Sequence, residues 1–189
     1  MVAENSYVTR PGLVRLGISS CLLGEEVRYN GGHVKDDFLV NTLGQYVQWV
    51  PVCPEVEMGM GVPRENVRLV GDAEDPRLVA PKSGTDHTDT MKKWAGQRLL
   101  ELEGMDLHGY ILKKDSPSCG LFRTKVYGGV AAPSRNGRGL FARELVNKFP
   151  MLPLEEEGRL RDPKLRENFI GRVFAYQRLL RLISNGQSD

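Results

Sequence analysis

Three cysteines are the residues of this 189-residue chain whose type and position most strongly suggest chemistry. Cys21, Cys53 and Cys119 are far apart in the sequence, and an odd number of cysteines cannot pair off completely as disulfides. We therefore expect three reduced thiols, which could be small buried hydrophobes or metal ligands. Each cysteine follows an apolar segment that predicts a β-strand, and this shared position favours a common role.

The spacing of the thiols discriminates between kinds of site. Structural zinc usually has four protein ligands, which often come as close Cys-x2-Cys pairs, and this sequence contains no such pair. None of the three histidines, His33, His87 and His108, is adjacent to a cysteine, so zinc and a Cys–His nucleophile both have little local support. An iron–sulfur cluster fits better, because soft thiolates suit iron and a cubane with three thiolate ligands leaves one iron open to substrate.

Four motifs around and beyond the cysteines are distinctive, namely SSCLLGEEVRYNGG (19–32), VCPEVEMGMGVPRE (52–65), YILKKDSPSCG (110–120) and GRGLFAREL (137–145). Together, and in this order, they resemble the thiouracil desulfidase family, formerly catalogued as a domain of unknown function, over about residues 13–155. The resemblance implies an oxygen-sensitive 4Fe-4S cluster with Cys21, Cys53 and Cys119 as its ligands. It also implies an enzyme that removes sulfur from thiolated uracil.

The implied reaction needs an oxygen nucleophile, a group that takes its proton, and stabilisation of the departing sulfide. Glu55, two residues after the second cysteine, is the predicted base, and Glu57 is the competing carboxylate. Ser116 is the predicted catalytic hydroxyl, while Ser118 is predicted to support the substrate site. Each of these residues could instead cap a turn or loop beside its cysteine.

A second group of residues is predicted to bind the thiolated base. Tyr29 could stack on the base and Asn30 could hydrogen-bond to its edge, with Arg28 and Arg138 also in the predicted substrate site. A turn closed by two glycines is the alternative for residues 28–30. The segment around the third cysteine also carries basic residues that could contact several phosphates or could form a solvated loop. They are Lys113, Lys114, Arg123, Lys125, Arg135 and Arg138.

The elements that must position these residues alternate between strands and helices. Apolar runs predict strands at 13–20, 47–53, 67–70, 108–114 and 151–155. Helical spacing, caps and glycine stops predict helices at about 36–44, 86–103 and 140–149, and a long final helix that begins at Pro163 after an Asp162 cap. The polar stretches 71–86 and 123–139 are predicted as loops.

This alternation predicts an α/β fold, a three-layer sandwich with a mainly parallel sheet. The carboxyl ends of parallel strands share one edge, so the cluster site is predicted at that edge. We divide the chain into an N-terminal extension (1–12), a desulfidase domain (13–160) and a C-terminal amphipathic helix with its tail (161–189). Residues 162–180 resemble the linker that opens a second domain in longer family members associated with thiouridine in tRNA. The same helix has a wide apolar surface that could join two copies of the chain.

Composition limits the remaining classes of protein. With 40% hydrophobic and 26% charged residues, the chain is typical of one soluble domain. It has neither an apolar run near the roughly 20 residues of a membrane span nor the apolar core of a secretory signal, so a cytoplasmic protein without membrane contact is predicted. The formal net charge of +2 is too small to indicate a nucleic-acid-binding protein by itself.

We therefore predict an iron–sulfur desulfidase that replaces the sulfur of a thiolated uracil with oxygen, without net electron transfer. The thiolated base could be free, part of a nucleoside, or 4-thiouridine within tRNA. The basic segment and the linker-like helix favour tRNA, whereas the near-neutral charge and the missing second domain favour the free base. The alternatives from other classes are an iron–sulfur electron carrier or redox sensor, and a nucleotide-binding module without a cluster.

Overall fold

The computed structural model describes residues 13–128 and 132–186, so the predicted N-terminal extension, 1–12, lies outside the described residues. The strands of the described residues are β1 (Val14–Ser19), β2 (Val47–Val52), β3 (Arg68–Gly71), β4 (Pro76–Val79), β5 (Gly109–Leu112), β6 (Thr124–Tyr127), β7 (Ser134–Gly137) and β8 (Leu154–Glu156). The α-helices are α1 (Pro54–Glu57), α2 (Thr88–Glu103), α3 (Leu140–Lys148) and α4 (Pro163–Gly186). No helix in these two ranges combines the length and the apolar character that crossing a membrane requires.

The first sheet, sheet A, contains four parallel strands in the order β2-β1-β5-β8. β1 pairs with β2 without interruption, from Val14 opposite Val47 to Ser19 opposite Val52. Because the four strands are parallel, their carboxyl ends lie along a single edge of the sheet. The prediction of an α/β fold with a mainly parallel sheet is therefore confirmed.

Helices cover both faces of sheet A, as the predicted three-layer sandwich requires. On one face, α2 and α3 share a buried cluster with Tyr110 and Leu112 of β5. On the other face, α4 packs Phe169 and Val173 into a separate buried cluster that includes residues of β1. Gly17 lies in the middle of β1 because any larger residue would collide with its neighbour strand: a Cβ atom there would overlap the ring of Tyr110.

A second sheet, sheet B, was not predicted, and the predicted loops 71–86 and 123–139 are wrong where they contain β4, β6 and β7. Its order is β4-β3-β6-β7, in which β3 and β6 are parallel and the outer strands are antiparallel to their neighbours. The strands are short, and their alternate positions are exposed or half-buried, so Leu69, Leu78 and Val126 are among the few of their side chains that reach the core. Pro76 begins an edge strand, which is a position where proline is tolerated.

The predicted helix at 36–44 is present in a distorted form. It consists of a π-helical turn, Phe38–Thr42, and a 3₁₀ turn, Leu43–Gln45, instead of an α-helix. The Asp36 carboxylate accepts a hydrogen bond from the N–H of Leu39 at 3.1 Å, as the predicted cap requires. The helices predicted at 86–103 and 140–149 are confirmed as α2 and α3.

The long final helix, α4, begins at Pro163 as predicted. The Asp162 carboxylate accepts a hydrogen bond from the N–H of Lys164 at 2.8 Å, which satisfies one free donor of the first turn. Phe169 and Val173 are buried, whereas the apolar side chains of the later turns include exposed ones, namely Phe174, Leu179, Leu182 and Ile183. The division of the chain at residue 160 stays a prediction.

Candidate metal centre

All three cysteines line one cavity of about 280 Å³ at the carboxyl edge of sheet A. We call it the cysteine cavity. Its wall is formed by the segments that follow β1, β2 and β5, together with Arg64, Asn66 and Val67, which precede β3. The order of the strands explains this meeting, because β2 and β5 are the two neighbours of β1.

Each cysteine is fixed by its position near a strand end. Cys21 lies in a 3₁₀ turn that directly follows β1, and its carbonyl accepts a hydrogen bond from the N–H of Val34 at 3.0 Å. Cys53 follows β2 immediately and has extended backbone at the start of α1. The loop after β5 carries Cys119, whose N–H donates to the hydroxyl oxygen of Ser116 at 3.0 Å. Local turns therefore hold the three thiols in place.

Burial raises the pKa of all three thiols. The pKa of Cys21 is raised to about 12, first by burial and then by the neighbouring Cys53. Burial also raises the pKa of Cys53, and it raises that of Cys119 well above the ordinary thiol value, with further contributions from the other two cysteines. Loss of all three protons would place three negative charges around one cavity. A coordinated metal cation deprotonates such thiols, so its positive charge offsets their repulsion.

Three thiols around one cavity suit a cluster better than a single ion. Within residues 13–128 and 132–186, no three His, Cys, Asp or Glu side chains converge closely enough to hold one metal ion. The zinc alternative therefore has no support in the geometry. In an iron–sulfur cluster each thiolate binds a different iron, so the ligands can surround a shared cavity. A donor set made only of thiols also suits iron.

Glu55 is held in the wall of the cysteine cavity by two partners. Its Oε2 accepts hydrogen bonds from Nε of Arg64 at 3.0 Å and from Nη2 at 2.6 Å, while its Oε1 accepts one from the Ser118 hydroxyl at 2.8 Å. The side chains of Arg64 and Glu55 are only 5% and 15% exposed, so this charge-assisted pair is largely shielded from water. Arg64 was not among the predicted residues, although it lies within the second quoted motif.

Glu57, Ser116 and Ser118, the other predicted catalytic and supporting residues, differ in their position relative to the cavity. Glu57 is not part of the cavity wall: it accepts a hydrogen bond from the N–H of Cys53 at 2.9 Å and lies 3.1 Å from Nε of Arg98. Ser116 lines the cavity, and its oxygen accepts two backbone hydrogen bonds, so its proton is left to donate to a bound ligand. Ser118 is fully buried and donates to Glu55.

The predicted base-binding residues are only partly brought together. Arg28 and Tyr29 line the cavity, with the Arg28 guanidinium 5.6 Å from the centre of the Tyr29 ring. Asn30 does not line it, because its side chain closes a turn by accepting a hydrogen bond from the backbone N–H two residues later, at 3.2 Å. Arg138 lines a separate recess and donates to a backbone carbonyl at 3.3 Å. Substrate contacts from Asn30 and Arg138 are therefore not supported.

Three consecutive buried glutamates lie at the end of β8, and the two that support the site, Glu156 and Glu157, were missed. Glu157 lies 2.7 Å from Nζ of Lys113 and accepts a hydrogen bond from the N–H of Lys114 at 2.8 Å, and both lysines line the cavity. Glu156 accepts hydrogen bonds from two backbone N–H groups that closely follow Cys119. The available signal was a run of glutamates at the end of a buried strand, where carboxylates occur only when they are paired.

Comparisons with known proteins agree with this geometry. A family model described as 2-thiouracil desulfurase matches residues 16–157, which include all three cysteines. An uncharacterized protein of Bacillus subtilis (strain 168), YbbK, is 33% identical over 108 residues, which cover 54% of this chain and 71% of the relative. A solved structure of a 4Fe-4S-dependent thiouracil desulfidase, TudS, matches with a TM-score of 0.64 at 28% identity, covering 82% of this chain and 97% of that chain.

Proposed function

Because the chain belongs to the 2-thiouracil desulfurase family, we propose that it is an iron–sulfur-dependent desulfidase. It replaces the thiocarbonyl sulfur of a thiolated uracil with oxygen and releases sulfide. The observation that carries this proposal is the convergence of three thiols and an oriented carboxylate on one cavity. The similarity to a 4Fe-4S-dependent thiouracil desulfidase supports the choice of cofactor.

The proposed ligands of the 4Fe-4S cluster are Cys21, Cys53 and Cys119, which all line the cysteine cavity. When bound, a cluster with only three protein ligands supplies an open iron as a Lewis acid for the sulfur of the substrate. Lys113 and Arg28 favour the thiolate form of Cys21, so the cationic part of the wall offsets some of the negative charge of the ligands.

Glu55 is the proposed acceptor of a proton from the attacking water. Arg64 fixes Oε2 and Ser118 fixes Oε1, which orients the carboxylate while leaving a lone pair for a water molecule. Ser116 is the proposed donor of a hydrogen bond to the substrate, because its hydroxyl proton faces no described acceptor. The reaction converts one C=S bond and one water into one C=O bond and hydrogen sulfide. Electrons therefore balance without an added oxidant or reductant.

We place 4-thiouridine within tRNA ahead of free thiouracil as the substrate. The wall of the cavity includes Arg28 and Lys114, which can contact phosphates, and Tyr29 is 42% exposed and offers a ring for stacking. The cysteine cavity, of about 280 Å³, also holds the proposed cluster and has no room for a folded RNA. A thiolated nucleotide would therefore be turned out of its stack into the cavity, with the rest of the RNA outside.

Anaerobic reconstitution tests the proposal. The loaded chain should contain about four irons and four sulfides, and Cys→Ser at any one of the three cysteines should prevent stable assembly. The same sample is then given thiolated tRNA, 4-thiouridine, 2-thiouracil and 4-thiouracil at low salt, and sulfide and the oxygenated base are quantified without reductant. Reversible reduction of the cluster without any release of sulfide would instead support the electron-carrier alternative. Stoichiometric zinc without iron would contradict the cofactor.

A further inference from the structure

The exposed face of sheet B carries a groove that the proposed reaction does not use. Strand alternation buries Leu69, Leu78 and Val126 on the inner face of the sheet. The groove on the outer face has a volume of about 380 Å³. Its lining residues are Arg68, Val70, Arg77, Val79, Gly84 and Tyr127. We call it the sheet B groove.

The register of the strands gives the groove an apolar floor with arginines beside it. Val70 lies opposite Arg77 on β4 and opposite Tyr127 on β6, and Arg68 lies opposite Val79. The guanidinium carbon of Arg68 is 4.9 Å from the centre of the Tyr127 ring, which is the distance of a cation–π contact. The pair therefore presents two planar groups on which a nucleobase can stack.

The charge of the sheet B groove is positive. Arg77 lies 3.4 Å from the Asp86 carboxylate, so its charge is partly offset. Arg68 is exposed and has no carboxylate partner within the described ranges, and Lys125 is exposed on β6 two residues before Tyr127. Exposed cations beside an aromatic ring favour a nucleic acid strand, because its phosphates can contact the cations and its bases can stack on the ring. The carboxylates of an acidic protein surface would contact only the cations.

The groove begins beside the cysteine cavity. Asn66 and Val67 line the cavity, and Arg68, the first residue of β3, lines the groove. One short segment of the chain therefore contributes residues to both the cavity and the groove. On the other side of β6, Arg135 of β7 lies 3.3 Å from Asp115, which lines the cavity. Sheet B is therefore joined to the cavity at two points.

We infer that the sheet B groove binds a single-stranded segment of RNA next to the nucleotide that enters the cysteine cavity. A base stacks on the Arg68–Tyr127 pair, and Arg77 and Lys125 contact the neighbouring phosphates. The inference rests on the proposed function for the nucleotide in the cavity, but the groove itself binds RNA whether or not that nucleotide is thiolated.

Binding of a fluorescein-labelled, unmodified oligoribonucleotide of about ten nucleotides tests the groove, measured by anisotropy between about 50 and 200 mM salt. Arg68→Ala and Tyr127→Ala should each weaken binding by about 5-fold or more, because each removes half of the stacking platform. Tyr127→Phe keeps the ring and should bind like the wild type. Lys125→Ala should instead reduce the slope of log Kd against log salt by about 0.7, because it loses one phosphate contact.

Lys93→Ala, on the exposed side of α2, is the matched control because it removes one positive charge that does not line the groove. Circular dichroism and iron content confirm that each variant is folded and loaded. Wild-type affinity in both Arg68→Ala and Tyr127→Ala overturns the inference, as does an equal loss in Lys93→Ala. Turnover of free thiouracil without RNA binding overturns the groove and leaves the proposed function standing. RNA binding that depends on Arg68 and Tyr127, without desulfuration of any substrate, supports the groove and contradicts the proposed function.

Discussion

At the scale of single residues, the two carboxylates that follow Cys53 differ in what surrounds them. Glu55 lies in the cavity wall with Arg64 and Ser118 as partners, whereas Glu57 is occupied by a backbone N–H and by Arg98. Glu55→Gln should keep the cluster and slow turnover by about 100-fold or more, because the amide cannot take a proton from water. Single-turnover release of sulfide by anaerobically loaded protein measures the effect.

Glu57→Gln is the matched control for that prediction. Its amide oxygen can still accept the hydrogen bond from the backbone N–H of Cys53, so we expect turnover within about 3-fold of the wild type. Iron content is measured for both variants, so that a lost cluster is not mistaken for lost proton transfer. An active Glu55→Gln beside an inactive Glu57→Gln would show that the wrong carboxylate has been chosen.

Arg64 acts through Glu55 and is therefore a positioning residue. It also donates to the backbone carbonyls of Gly61 and Val27, so it ties the segment before β3 to the cavity wall. Arg64→Lys cannot reproduce both hydrogen bonds to Oε2 of Glu55 together with those to the backbone, and kcat should fall by about 10-fold with a smaller change in KM. Millimolar guanidinium should restore part of kcat in Arg64→Ala.

The control for Arg64 is Arg172→Ala, which removes an exposed arginine on α4. It should match the wild type in both kinetic constants and should not respond to guanidinium. A loss of kcat in Arg64→Ala that guanidinium does not restore, together with a normal iron content, would contradict the positioning role and leave a purely structural one.

At the scale of elements, β8 stabilises the loop that carries Cys119. Oε1 of the buried Glu156 accepts hydrogen bonds from the N–H groups of Leu121 at 2.8 Å and Phe122 at 3.0 Å. Glu156→Ala would leave both donors without a partner, and each buried, unpaired donor costs about 1–3 kcal/mol. We expect a loss of at least about 2 kcal/mol in the free energy of unfolding, and faster loss of iron.

Glu156→Gln separates this effect from the loss of a charge, since its amide oxygen can accept the same hydrogen bonds. Urea unfolding and iron release are compared for the two variants. We expect the glutamine variant to lie closer to the wild type than the alanine variant, because burial already raises the pKa of Glu156 and so disfavours its charge. Equal behaviour of the alanine variant and the wild type would contradict the anchoring role.

The elements that could be predicted from the sequence are the apolar runs and the helices whose apolar residues recur at helical spacing. β1, β2 and β5 are apolar runs, and a parallel sheet brings their ends together, so the meeting of the cysteines follows from the pattern. β4, β6 and β7 have exposed polar residues at alternate positions and only about four residues each, so no periodic signal separates them from loops. Arg64 was missed because its contact with Glu55 depends on the path of a loop.

At the scale of the whole molecule, the two sheets contribute different parts of the proposed site. Sheet A places the three thiols at one edge through the order of its strands. Sheet B begins at the wall of the same cavity and carries an exposed basic face. The connection between the two is the segment 64–68, which holds Glu55 through Arg64 and starts β3 at Arg68. The proposed chemistry and the inferred RNA groove therefore meet at one short segment.

The stability of the whole molecule should depend on pH through His108, which precedes β5 on the side of sheet A opposite to the cavity. The ring Nδ1 of His108 accepts a hydrogen bond from the backbone N–H of Arg15 at 2.8 Å. The backbone N–H of His108 donates to the Arg15 carbonyl, also at 2.8 Å. Burial, and then the charge of Arg15, lower the pKa of His108 below its usual 6.5. The unfolded chain therefore binds this proton at a higher pH than the folded chain does.

This difference sets the sign of the pH dependence. Lowering the pH reduces the free energy of unfolding wherever the unfolded state binds more protons than the folded state. The contribution of neutral His108 is fully present above about pH 6.5 and is lost as the pH falls from there through the lowered pKa, with a maximal slope of about 1.4 kcal/mol per pH unit. Urea unfolding between about pH 8 and pH 5.5 measures this dependence.

His108→Asn keeps an acceptor for the N–H of Arg15 without a titrating ring, so its curve of stability against pH should be flatter. His33→Asn removes an exposed ring that also accepts a backbone hydrogen bond, at 3.2 Å, and should keep the wild-type curve. A wild-type slope that survives in His108→Asn would assign the dependence to other groups.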